Sequence, residues 1–105
     1  GTLVDALGRT RHLGQEDLAV AVTDEWTSPD TGARYPAGWT ITLPGDELEI
    51  RLSPTVPQQE LDTRATTGVV YWEGSQRVAA TRAGSPLGGQ AYVELTGYAP
   101  TPALP

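Results

Sequence analysis

Cysteine is absent from the 105 residues, which excludes disulfides, thiol catalysis and thiolate metal sites. Lysine, asparagine, methionine and phenylalanine are missing too, so all seven bases are arginine, a bias of the kind a GC-rich coding sequence produces. Thirteen acids outweigh them and leave a net charge of −6. Binding a polyanion needs clustered positive charge, and the chain offers none, so no nucleic acid partner is expected. No apolar run approaches the roughly 18 residues of a membrane-spanning helix, and no membrane span is expected. The first residues, GTLVDALGRTRHL, show neither the basic start nor the long apolar centre of a signal peptide. The single histidine, His12, lies beside Arg11 with no acid partners at ligand spacing, and reads as a surface residue rather than a metal ligand.

What is present points to strands. The length suits one domain. Twelve glycines and nine prolines are spread through the chain rather than gathered in a linker, as in many short strands joined by tight turns. Thr2 to Ala6 is a strand candidate followed by a turn at Leu7 to Thr10. Asp17 to Thr23 is another, with Leu18, Val20 and Val22 on one side. Residues 26–39, WTSPDTGARYPAGW, carry two turn signals and three aromatics, and predict a long loop or a distorted hairpin whose rings pack over an open end of the domain or line a pocket. Trp39, Ile41 and Leu43 alternate with threonines, Pro44-Gly45-Asp46 turns the chain, and Leu48, Ile50 and Leu52 alternate with Glu49 and Arg51, an amphipathic hairpin. Pro57 to Asp62 is the one place where a short 3₁₀ turn is expected.

The last third is organised by residues 69–98, VVYWEGSQRVAATRAGSPLGGQAYVELTGY, two alternating runs around a breaker-rich segment from Ala83 to Gly89, the pattern of an antiparallel hairpin. Alternation puts Tyr71, Glu73, Ser75 and Arg77 on one face against Val70, Trp72 and Val78. On the returning run Gln90, Tyr92, Glu94 and Thr96 oppose Ala91, Val93 and Leu95. If the polar faces meet, Glu73, Arg77 and Glu94 form one cluster; a bulge near the glycines would part them. Six or seven strands in hairpin order predict an all-β antiparallel barrel or sandwich.

The order of WTSPDTG, YPAGW, LEIRL, QEL, YWEG and finally GQAYVELTGY resembles the C-terminal lipocalin-like domain of the AttH-like and carotenoid 1,2-hydratase family, over nearly the whole chain. The resemblance implies an antiparallel lipocalin-like β-barrel over residues 1–98, a meander of hairpins lacking its first strands, with an extended proline-rich tail at 99–105. It implies a partner as well, either an N-terminal lipocalin-like domain of a parent chain or a second copy in a homodimer, because missing strands leave free edges and an open apolar interior. A periplasmic or secreted location would follow from resemblance alone. Carotenoid members of the family add water across a terminal carbon–carbon double bond without a redox cofactor, so none is expected. Other members are described only as candidate secreted hydrolases or accompany a bacterial export system.

Hydration of an unactivated alkene needs a strong acid to protonate carbon, surroundings that tolerate the cation, and a base for the water proton. A carboxyl group kept protonated by burial can be the acid, and aromatic faces can stabilise the cation. Glu73, between Trp72 and Gly74, is the first candidate and Glu94 the second, with Trp39, Tyr71, Trp72 and Tyr92 as ligand-binding rings. The competing reading makes Glu73 a structural carboxylate paired with Arg77 or another arginine, and the two tryptophans core residues. Two functions therefore stand: a non-catalytic module that binds an apolar small molecule or braces a partner domain, and part of a hydratase acting on a polyene.

Overall fold

The amphipathic hairpin is the clearest case of sequence setting register. Strand β6 (Trp39–Leu43) and β7 (Leu48–Pro54) pair so that Trp39 faces Leu52, Ile41 faces Ile50 and Leu43 faces Leu48, which puts every large apolar residue of both strands on one side. In the computed structural model, which describes residues 1–100, the connection is a 3₁₀ turn at Pro44–Asp46 closed by Glu47 in the left-handed region, φ 50°. That turn, not Pro57 to Asp62, is where the 3₁₀ segment lies. Residues Glu60–Asp62 instead form a strand, β8, because their backbone is taken up by the ladder of a neighbouring strand.

That neighbour, β9 (Val70–Arg82), spans thirteen residues and holds the sheet together. One of its edges pairs with β7 from Gln76 to Arg82 and with β8 from Val70 to Trp72; the other pairs with β10 (Ser85–Leu87) and β11 (Ala91–Thr96). The segment between Ala83 and Gly89 is thus partly strand. Ala83 and Gly84, at φ 48° and 81°, make a two-residue turn whose twist suits a hairpin, and Gly88 to Gln90 interrupt the second strand before pairing resumes. Among the described residues strand β3 (Ala19–Val22) pairs only with β6, so the order β10-β9-β7-β6-β3 ends there in a free edge.

Two small hairpins stand apart from this seven-stranded sheet. One joins β1 (Thr2–Val4) and β2 (Thr10–His12); the other joins β4 (Glu25–Thr27) and β5 (Arg34–Pro36). Residues 26–39 therefore form the distorted hairpin, and His12 lies exposed in β2. The eleven strands and the absence of α-helix among the described residues make the chain all-β, a curled half-barrel. Its radius of gyration, 16.4 Å, exceeds the roughly 13 Å of a compact chain this long. A sheet that does not close on itself accounts for the difference. Of the predicted tail, residues 101–105 lie outside the described residues.

The core sits on the concave side and is small. Ala33, Tyr35, Trp39, Leu52 and Trp72 form its buried cluster, with Ile41, Ile50, Val93 and Leu95 packed around it. Trp39 and Trp72 meet at 6.4 Å with their planes inclined by 58°, a tilted arrangement that aromatic quadrupoles favour.

Candidate functional site

Alternation along β9 sorts the signature YWEG between two faces. Trp72 and Gly74 point inward; Tyr71 and Glu73 point outward. Gly74 has a packing reason to be glycine: a side chain there would occupy the place of the Gln59 amide, whose Oε1 lies 1.6 Å from where a Cβ would be. Gln59 in turn donates from Nε2 to the Val56 carbonyl at 2.9 Å and accepts at its own carbonyl from the Glu73 N–H.

On the outer face the register brings Glu73 directly opposite Glu94, with Tyr71 opposite Thr96 and Tyr92 opposite Ser75. The two carboxylates are half-buried and exposed respectively. The Tyr92 phenol, 64 % exposed, is held above its ordinary value by partial desolvation and by the adjacent Glu73 carboxylate, with Glu94 and Tyr71 adding. Arg77 does not join this group. It sits four residues along β9 opposite Ser53, and among the described residues it forms no ion pair with Glu73, so the expected Glu73–Arg77 pairing is not made. Two like charges face each other across the ladder with no arginine between them, a mildly destabilising arrangement.

The predicted rings divide in the same way. Tyr71 and Tyr92 belong to the outer face with the acids, while Trp72, fully buried, and Trp39, nearly so, belong to the inner core. The Trp72 Nε1–H donates to the Pro57 carbonyl at 2.9 Å. The six candidate residues thus lie on opposite sides of one sheet.

Sequence reasoning missed a different centre, Glu60. It faces Trp72 across the β8–β9 ladder, and the β4–β5 hairpin folds over it. Its Oε1 accepts from the Ser28 hydroxyl at 2.6 Å, and its Oε2 accepts from the Thr31 hydroxyl and the Tyr35 phenol, each at 2.8 Å. Ser28 then accepts the N–H groups of Asp30 and Thr31, so the turn signal SPDTG is wired to a carboxylate about thirty residues on. Tyr35 is sandwiched between Trp26 at 6.0 Å and Tyr98 at 5.5 Å. The signal in the sequence was a tyrosine and two hydroxyls in one turn-rich segment, all needing a partner, and an acid, Glu60, in a short run that otherwise read as a polar turn.

Tyr35 gives a pH prediction. Burial, reinforced by hydrogen bonding to the Glu60 carboxylate, pushes its phenol far above the usual 10. A phenol raised in the folded state contributes stability that is complete below pH 10 and lost as pH climbs through the folded value. Tyr35 is expected to ionise only together with unfolding, well above pH 10, and Tyr35→Phe to remove that step from a near-ultraviolet absorbance titration. Ionisation of Tyr35 near pH 10 with the fold intact would contradict this.

Among the described residues no group of three or more His, Cys, Asp or Glu side chains is placed to hold a metal ion. No helix among the described residues is long and apolar enough to cross a membrane.

Comparison with known proteins follows the same residues. The AttH-like family profile matches residues 1–98. A crystal structure of a protein from Nitrosomonas europaea, described as a candidate AttH, superimposes with a TM-score of 0.76 and 39 % identity over 94 % of this chain. The chain spans 29 % of the length of that protein. A search of curated proteins finds no match.

Proposed function

The chain belongs to the AttH-like family, and from that premise we propose that it works as a non-catalytic lipocalin-like half-barrel that braces a second β unit, either another part of a parent chain or a second copy. The observation that carries the proposal is β3. All four residues of this strand, Ala19-Val20-Ala21-Val22, are exposed, Val20 by 56 % and Val22 by 53 %, and among the described residues one edge of its backbone has no strand beside it. An apolar edge strand of that kind is a template for another strand. Leu87, beside the opposite end of the sheet order, is exposed as well.

Hydration of a polyene is the less supported reading. An acid for carbon must be enclosed by apolar surface to stay protonated, whereas Glu73 and Glu94 share the outer face with each other's charge and with exposed Tyr92.

Sedimentation velocity tests the bracing role. The chain alone is expected to self-associate with rising concentration, and Val20→Lys with Val22→Lys to shift it toward monomer while leaving its circular dichroism unchanged. A folded wild-type monomer at every concentration would overturn the proposal.

A further inference from the structure

The backbone of β3 fixes which groups its open edge presents. Thr23 donates its N–H to the Gly38 carbonyl, and the same register continues with Ala21 opposite Thr40 and Ala19 opposite Thr42. Alternation in an antiparallel ladder then turns the N–H and C=O groups of Ala19 and Ala21 toward β6, and those of Val20 and Val22 out into the open edge. The valine side chains lie on the concave side in line with Ile41 and Trp39, and the alanine side chains on the convex side.

Acids close both ends of this edge. Glu16 and Asp17 precede it, Asp24 and Glu25 follow it, and all four are exposed. Glu25 is paired with Arg34, whereas Glu16, Asp17 and Asp24 have no ion pair among the described residues. Asp17 and Asp24 accept the local backbone N–H groups of Gly14 and Glu25. Arg11 shares a depression with Glu16 and Asp17, but its guanidinium is bound to Asp46.

These charges choose between the occupants that the bracing role admits. Antiparallel self-pairing that overlaps most of the strand is centred on Val20 or on Ala21. The first register brings Glu16 toward Asp24 of the second copy, the other brings Asp17 toward Glu25 of the second copy, and two-fold symmetry repeats the approach at the far end. Like charges directly opposite each other weaken a ladder. A strand with an alternating apolar centre and a cation at each end meets no such opposition and gains at both ends.

We infer that the free edge of β3 takes a strand from a different polypeptide segment, apolar in its middle and carrying arginine or lysine at both ends, in preference to a second copy of this chain. The inference rests on the bracing reading and names its partner; self-association is the weaker pairing that remains when no such strand is offered.

Two blocked peptides test it, Arg-Arg-Val-Thr-Val-Thr-Arg-Arg and Glu-Glu-Val-Thr-Val-Thr-Glu-Glu, in ¹⁵N NMR titrations of the whole chain kept dilute enough to be monomeric. The arginine peptide is expected to shift the Ala19 to Val22 amides saturably and, in low salt, to bind about tenfold more tightly than the glutamate peptide, the sum of several individually weak exposed pairs. Added salt should weaken that binding and strengthen self-association, because one brings unlike charges together and the other like charges. Glu16→Gln with Asp17→Asn and Asp24→Asn keeps the hydrogen-bond acceptors of both aspartates and should erase most of the preference. Equal affinity for the two peptides in low salt, self-association that weakens as salt is added, or arginine-peptide shifts centred on Glu73 and Glu94 instead of β3 would overturn the inference. Equal binding at the β3 edge would sink the choice of partner alone. Binding of neither peptide, with self-association unaffected by Val20→Lys and Val22→Lys, would sink the bracing reading as well.

Discussion

Glu60→Ala is expected to destabilise the chain by about 3 kcal/mol, seen as a lower urea midpoint with an unchanged slope. The carboxylate receives three hydroxyl donors, and two of them come from residues almost wholly out of water, Tyr35 at 1 % and Ser28 at 2 % exposure. Removing the acceptor strands those donors where solvent does not reach, and the desolvation of each is then uncompensated. The β4–β5 hairpin packs on the core through Ala33, Tyr35 and Trp26, so the stranded donors lie at its contact with the main sheet. Glu60→Gln keeps one acceptor oxygen and should cost about half as much. Tyr35→Phe removes one donor together with its partner bond and should fall between that and wild type. If Glu60→Ala lies within about 0.5 kcal/mol of wild type, an ordinary surface value, the hub is not what anchors this end of the half-barrel.

How far the sequence could be read depended on whether a feature was local. The Trp39 to Leu52 hairpin was legible because its register is set by its own turn and by two runs of period two. The sorting of β9 and β11 into faces was legible for the same reason. The meeting of Glu73 with Glu94 was open, since one bulge anywhere before Ala91 would have shifted it; an interruption does occur at Gly88 to Gln90, yet pairing resumes with the two acids opposite each other. Pro57 to Asp62 was misread because a proline followed by polar residues suits a 3₁₀ turn locally, while three ladder positions on β9 decide the matter from outside the segment. Glu60 was passed over for a related reason: its partners are 25 to 32 residues away and only the fold brings them in.

Trp72→Ala is expected to cost about 4 kcal/mol, the upper part of the range for truncating a buried aromatic. Trp72 is the largest fully buried side chain and has no exposed surface, so its whole apolar area is lost to the core and a cavity is left. The Pro57 carbonyl loses its donor at the same time, and Trp39 loses its ring partner. Local collapse cannot fill the space, because Trp72 lies where β9 is paired on both edges, to Glu60 and to Leu95. With five buried residues in the central cluster, the chain has little core in reserve. Against a total stability of about 5–15 kcal/mol for a domain, such a loss leaves much of the population unfolded at moderate temperature. Trp72→Phe keeps a ring and should recover more than half of the loss, though not the bond to Pro57. Urea denaturation followed by the fluorescence of Trp39 and Trp26 separates the cases. A Trp72→Ala chain as stable as wild type would mean that the half-barrel is held by its ladders rather than by its concave core, and the bracing role would then have to be argued from the β3 edge alone.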